Sequence, residues 1–185
     1  MNSEKDKNGN PLPKKIKPIV HVYTGDGKGK TTASVGLAVR AKSRGLRVLF
    51  SQFFKDTTGG ELELLESLSI TVKRYREVKS PLFHPQIDLE TLKKAVREAL
   101  NEITNLSYEF DLIIIDEFNC LLKEGILETE EAIEFLQRLP EGRDVVLTGR
   151  GAPQELIQLA DYVTEMKAIK HPRRQGLKAR SGIEY

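Results

Sequence analysis

The chain has 185 residues, 39% hydrophobic and 30% charged, with a formal net charge of +2, enough for one domain with a full hydrophobic core. No apolar run approaches the ~20 residues of a membrane span, and the charged first 18 residues lack the apolar segment of a secretory signal, so neither a membrane nor an exported protein is expected. The lone Cys120, in an apolar stretch, cannot form an internal disulfide and reads as a buried, inert thiol in a reducing compartment, so a cytoplasmic location is expected.

Residues 1–18 carry five lysines against two acids, with prolines at 11, 13 and 18, and read as a flexible basic arm. Residues 19–185 read as the folded domain, beginning with the β-rich run Ile19–Thr24 that stops at glycines. Residues 30–44 place Ala33, Leu37, Ala38 and Ala41 at helical spacing, and Leu46–Phe53 and Ile70–Tyr75 read as strands. Leu89–Leu106 repeats Leu92, Val96, Leu100 and Ile103 along one helical face. Leu112–Ile115, between Asp111 and Asp116, has the composition of a fully buried strand. Thr129–Leu139 reads as a helix with Thr129 at its N-cap, and Asp144–Thr148 and Tyr162–Met166 complete the strands. Strands alternating with helices predict one α/β domain: a P-loop-like parallel sheet with helices on both faces and ligands at the carboxyl ends of the strands. The last nineteen residues repeat the basic bias of the arm, with six Lys or Arg against one acid. Nucleic acid is an unfavoured partner, because no aromatic-rich basic surface accompanies these tails.

Between a strand and a helix stands Tyr23-Thr24-Gly25-Asp26-Gly27-Lys28-Gly29-Lys30-Thr31-Thr32. It reads as the phosphate loop G-x-x-x-x-G-K-[ST], with Thr24 in place of the first glycine. Glycines let successive backbone N–H groups point at phosphate oxygens, and the helix N-terminus adds positive potential. Binding of a nucleoside triphosphate, ATP in the family named below, is therefore expected at Gly25, Asp26, Gly27, Lys28, Gly29, Lys30, Thr31 and Thr32, with Lys30 bridging phosphates and the Thr31 hydroxyl placed for Mg²⁺. A second element, Leu112–Glu117, is a buried strand ending in two acids. Asp116 is expected in the Mg²⁺ shell, and Glu117 as an Mg²⁺ ligand, a water-binding group or a base.

Beyond these general features the chain resembles the P-loop type of ATP:corrinoid adenosyltransferase, from about Val20 to Tyr185. The resemblance is carried by TGDGKGKTTA at 24–33, QFFK at 52–55, GGELELLE at 59–66 and IIIDEFN at 113–119. It continues through LTGRGAP at 147–153, ADYVTEM at 160–166 and KHPRRQGLKARSGIEY at 170–185. It implies that the Co(I) of a corrinoid (cobalamin, cobinamide or cobyrinic acid a,c-diamide) attacks the 5′ carbon of ATP and that triphosphate leaves. It also implies a homodimer, a reductant such as a flavoprotein, and an arm that orders over corrinoid. The nucleophile is then the substrate itself, and no catalytic Ser, Cys or His is needed. Lys28, Lys30, Arg150 and Mg²⁺ suit the charge of the departing triphosphate, with Lys55 a weaker candidate of the same kind.

The corrinoid side departs from the family pattern: a Gly-Phe-Thr-Trp segment is replaced by Lys79–Pro85, and the chain has no Trp. Phe83, with Leu82 beside it, is the candidate aromatic wedge beneath the ring. His171 is a candidate substrate contact, His21 reads as a core residue, and His84 is rejected as a cobalt ligand because a strong axial ligand opposes reduction. Two rivals share Lys30, Thr31, Asp116 and Glu117: a kinase or NTPase cleaving at the γ-phosphate, and a nucleic-acid-binding ATPase using the basic tails.

Overall fold

The computed structural model describes residues 18–55, 60–172, 176, 180, 182 and 183. The arm up to Lys17, Gly59 of the GGELELLE stretch and most of the motif beyond Pro172 lie outside the described residues.

Six strands form one all-parallel sheet in the order β3-β2-β4-β5-β1-β6. They are β1 (Ile19–Thr24), β2 (Val48–Gln52), β3 (Thr71–Arg74), β4 (Leu112–Asp116), β5 (Asp144–Thr148) and β6 (Tyr162–Glu165). The three central strands β2, β4 and β5 are buried almost throughout, because helices cover both of their faces, and so they read as continuous apolar runs. β1 alternates half-buried with buried residues, and the edge strand β6 is exposed along its length.

Two apolar layers flank the sheet. On one face Ala38 and Ala41 of α1 (Lys30–Ser43) and Leu62 and Leu65 of α2 (Gly60–Ser67) pack on Val48, Phe50, Leu112, Ile114 and Val146. The other face, larger, gathers α3 (Leu89–Leu106), α4 (Phe118–Lys123), α5 (Thr129–Arg138) and α6 (Gln154–Leu159) against Val22, Ile113, Ile115, Val145 and Leu147.

Local chemistry sets the helix starts. Asp88 caps α3, its carboxylate accepting from the Thr91 N–H at 2.8 Å. The cap of α5 is Glu128 rather than Thr129: the Glu131 carboxylate accepts from the Glu128 N–H at 3.3 Å, as in a capping box. Thr129 is thus the first helical residue. The short helices α4 and α6 and the eight-residue α2 are absent from the sequence expectation, since six to eight residues give less than about two and a half turns for a 3.6-residue period to show.

The strand order positions the site. Strand β5 lies between β1, which enters the phosphate loop, and β4, which ends in Asp116. The chain leaves β1 for the α1 face but leaves β4 and β5 for the opposite face. The connections therefore part at the carboxyl ends of these strands, where open α/β sheets bind ligands.

Candidate active site

The phosphate loop is a backbone cradle closed around a lysine. Lys30, the first residue of α1, is buried, and its Nζ donates to the carbonyls of Gly25 and Gly27 at 2.7 Å each. Burial pulls its ammonium pKa below the ordinary lysine value, with nearby Arg150 acting in the same direction and Glu117, Cys120 and Asp26 opposing. Arg150, Glu117 and Lys30 thus share one electrostatic neighbourhood. Glycine is needed at two loop positions for a reason beyond phosphate approach. A Cβ on Gly25, which has φ of 95°, would lie 2.5 Å from the Met166 carbonyl oxygen, and one on Gly27 would lie 2.6 Å from it. The loop sits directly on the backbone that leaves β6: the Gly27 N–H donates to the Met166 carbonyl at 2.6 Å, and the Met166 N–H to the Thr24 carbonyl at 2.9 Å. Thr24, the departure from the loop pattern, uses its hydroxyl oxygen to accept from the Ala152 N–H at 3.2 Å and so ties the loop to the turn after β5.

Beside the loop, polar side chains at the ends of three buried strands converge on Asp116, which is fully buried. Its Oδ1 accepts from the Thr31 hydroxyl at 2.9 Å and the Thr148 hydroxyl at 2.6 Å. Its Oδ2 accepts from Gln52 Nε2 at 3.0 Å and lies 3.3 Å from Lys55 Nζ. Thr148 in turn accepts from the Glu117 N–H at 3.1 Å. Glu117 has φ of 63°, the left-handed region that a non-glycine residue enters only under constraint. That turn leaves its carboxylate to the Cys120 thiol, which donates to Glu117 Oε2 at 2.9 Å. Cys120 is half-buried rather than buried, and burial, reinforced by the Glu117 charge, pushes its pKa up to about 12. Asn119 Nδ2 bridges the carbonyls of Tyr23 and Gly149 at 3.2 and 3.1 Å, and Gly149 passes so close that a Cβ there would lie 3.0 Å from the Cys120 nitrogen.

A divalent cation fits this cluster in one way only. Thr31 donates its proton to Asp116 and keeps oxygen lone pairs for a metal, whereas the roughly four acceptor positions of Asp116 are taken by protein donors. Among the described residues no group of three or more His, Cys, Asp or Glu could hold a metal alone. A hard cation here would rely on phosphate oxygens and water, as Mg²⁺ prefers. Gln52 Oε1, buried beside Asp116 without a partner, is available to a water in that shell.

Comparison with known proteins decides which phosphate-loop family this is. The profile of the family described as ATP:corrinoid adenosyltransferase BtuR/CobO/CobP matches residues 16–185. The chain belongs to that family. A corrinoid adenosyltransferase of Escherichia coli strain K12 is 33% identical over 170 residues, spanning 90% of this chain and 85% of that protein. One from Sinorhizobium sp is 33% identical over 182 residues, spanning 91% and 81%. The corrinoid adenosyltransferase CobA of Salmonella typhimurium is 32% identical over 170 residues, spanning 90% and 85%. Among solved structures, the flagellar accessory protein FlaH from Methanocaldococcus jannaschii superposes with a TM-score of 0.51 at 13% identity, over 85% of this chain and 73% of that one, a likeness of fold.

The adenosyltransferase motifs acquire physical reasons from the site. TGRG places Thr148 on Asp116, Gly149 against α4 and the exposed Arg150 near Lys30. ADYVTEM delivers the Met166 backbone to the loop. Asp26, Lys28 and Thr32 lie exposed on the loop and the first turn of α1. Lys55, expected to face phosphate, instead pairs with Asp116 and lies 3.8 Å from Glu61. The Leu82–Phe83 turn stands apart, with the two residues 76% and 71% exposed; it is anchored by the Ser80 hydroxyl donating to the Glu124 carboxylate at 2.9 Å, just beyond α4. His171 is half-buried, five residues past the loop contact at Met166. His21 is part of the packed sheet, stacked on Tyr162 with ring centroids 4.6 Å apart. Thr148, Gln52, Asn119 and Met166 stand in the motifs that carry the resemblance but are given no site role by the sequence; a polar residue closing a buried apolar strand was the available signal for the first two. Among the described residues no helix is long and apolar enough to cross a membrane.

Proposed function

We propose that this chain transfers the 5′-deoxyadenosyl group of ATP to the cobalt of a reduced corrinoid, with the roles of its residues as follows. The Co(I) lone pair forms the bond to the 5′ carbon of ATP, the bond from that carbon to oxygen breaks, and triphosphate leaves with the electron pair. Lys30 meets the triphosphate by giving up its two loop carbonyls, and the loop N–H groups from Gly25 to Thr32 surround it, except that of Gly27, which is bonded to the Met166 carbonyl. Lys28 and Arg150 add positive charge, and Asp26 lines the mouth. Mg²⁺, when bound, neutralises phosphate charge. Thr31 would hold it directly, Asp116 would act on it through the Thr31 hydroxyl, and Glu117 would serve the same shell through water. Catalysis then consists of orientation and electrostatic stabilisation of a leaving group, and no protein nucleophile is required.

Phe83 and Leu82 are the proposed corrinoid contacts: two large apolar side chains held out in solvent on a pinned turn are suited to an apolar ring face. His171 is proposed beside them. The arm, the homodimer, a flavoprotein-type reductant and a cytoplasmic location belong to the same proposal, which fits any of cobalamin, cobinamide or cobyrinic acid a,c-diamide. The observation that carries it is the Lys30–Thr31–Asp116 constellation in a chain matching the adenosyltransferase family from residue 16 to the end. Chemically reduced corrinoid incubated with the protein, ATP and Mg²⁺ should give the light-sensitive spectrum of an adenosyl–cobalt bond. No such spectrum from folded protein that binds ATP would refute the proposal.

A further inference from the structure

We infer that Lys55 is a positioning residue for the cation end of the site, acting through Asp116 rather than on the nucleotide. A buried carboxylate is costly to hold ionised unless it is paired and hydrogen-bonded. Asp116 is fully buried, and the Lys55 ammonium lies 3.3 Å from its Oδ2. The same oxygen accepts from Gln52 at 3.0 Å, so an amide and a cation hold one side of the carboxylate. That hold turns Oδ1 toward the hydroxyls of Thr31 and Thr148 at 2.9 and 2.6 Å.

The geometry divides the work. With its proton committed to Asp116, the Thr31 hydroxyl presents lone pairs outward, which is the orientation a metal ligand needs. Without Lys55, Asp116 loses a charged partner on Oδ2, and a rotated carboxylate would no longer fix the Thr31 hydroxyl. Lys55 is itself steadied from a second side by Glu61 in the first turn of α2, 3.8 Å away. The start of α2 is thereby linked to the phosphate site through the Lys55 ammonium. Partners of this outer kind typically change metal affinity by about 10- to 100-fold when removed.

The inference rests on the proposal that this site binds ATP with Mg²⁺, and the test separates the two. ATP affinity is measured by titration calorimetry with Mg²⁺ and again with chelator, for wild type, Lys55→Met, Lys55→Gln and Lys55→Arg. Wild type should bind more tightly with Mg²⁺; no ATP binding at all would overturn the underlying proposal. In Lys55→Met and Lys55→Gln the gain from Mg²⁺ should shrink by about tenfold or more, with affinity in chelator within about twofold of wild type. Lys55→Arg should restore most of the gain, since a guanidinium can also pair with Oδ2. Lys55 is 30% exposed, so these variants should fold, and thermal unfolding of each checks it. Equal loss with and without Mg²⁺ would make Lys55 a direct phosphate contact and overturn the inference. An unchanged gain in both neutral variants would overturn it too, while leaving the phosphate site standing.

Discussion

Replacing Gly27 with alanine perturbs the phosphate loop without touching a phosphate-binding side chain. The new Cβ would lie 2.6 Å from the Met166 carbonyl oxygen and 2.8 Å from its carbon, both backbone atoms fixed at the end of β6. No rotamer change relieves that overlap, so loop and strand end must separate. Separation breaks the 2.6 Å hydrogen bond from the Gly27 N–H to Met166, a loss of about 1 kcal/mol. Overpacking adds roughly 1–2 kcal/mol. Because the contact lies outside the two apolar layers, the strain falls on the loop, and about 2–3 kcal/mol taken from binding is a ~30- to 150-fold weaker ATP affinity. The assay is ATP titration paired with thermal unfolding. Wild-type affinity in folded Gly27→Ala would show that the loop does not need its seat on Met166.

Lys30→Ala should leave a folded protein whose turnover falls by about 10²–10³, the usual worth of a donor to developing charge; a wild-type rate would remove the loop from the chemistry. Phe83→Ala should spare turnover when Co(I) is supplied by chemical reduction, but depress it when a mild reductant must act on Co(II) corrinoid; a four-coordinate Co(II) paramagnetic resonance signal at full wild-type strength in the variant would refute the wedge. Cys120, with its pKa pushed up to about 12, should label with iodoacetamide at pH 8 at least about 100-fold more slowly in the native protein than in urea, because only the thiolate reacts; equal rates would contradict the raised pKa of this half-buried thiol. Since the folded thiol holds its proton more tightly than an unfolded one, its contribution to stability is present below the ordinary value of 9.0 and is lost as pH rises toward about 12.

The central strands were legible because parallel strands covered on both sides must be apolar along their length. Asp144–Thr148 and Ile19–Thr24 appear in the structure with the bounds the sequence predicts. Leu89–Leu106 was legible because its apolar stripe persists for five turns. The bond from Thr31 to Asp116 follows from two motifs whose local chemistry is self-contained. The rest of the cluster depends on strand order, which no local pattern encodes. Gln52 and Thr148 meet at Asp116 only because β4 lies between β2 and β5. Gly25 and Gly27 read as phosphate-loop glycines, yet the tightest constraint on them is the Met166 backbone, 140 residues along the chain and brought close by pairing of β6 with β1. The pairing of Lys55 with Asp116 was hidden for the same reason: a cation after a strand invites a phosphate, and only the pairing of β2 with β4 brings it to a buried carboxylate.

Attack at the 5′ carbon of ATP is tested most directly by the leaving group. Phosphorus magnetic resonance of a reaction run with Co(I) corrinoid, Mg²⁺ and ATP should show inorganic triphosphate appearing mole for mole with adenosylated corrinoid, and no ADP. ADP or single phosphate as the stoichiometric product would place the cleavage at the γ-phosphate and contradict the account.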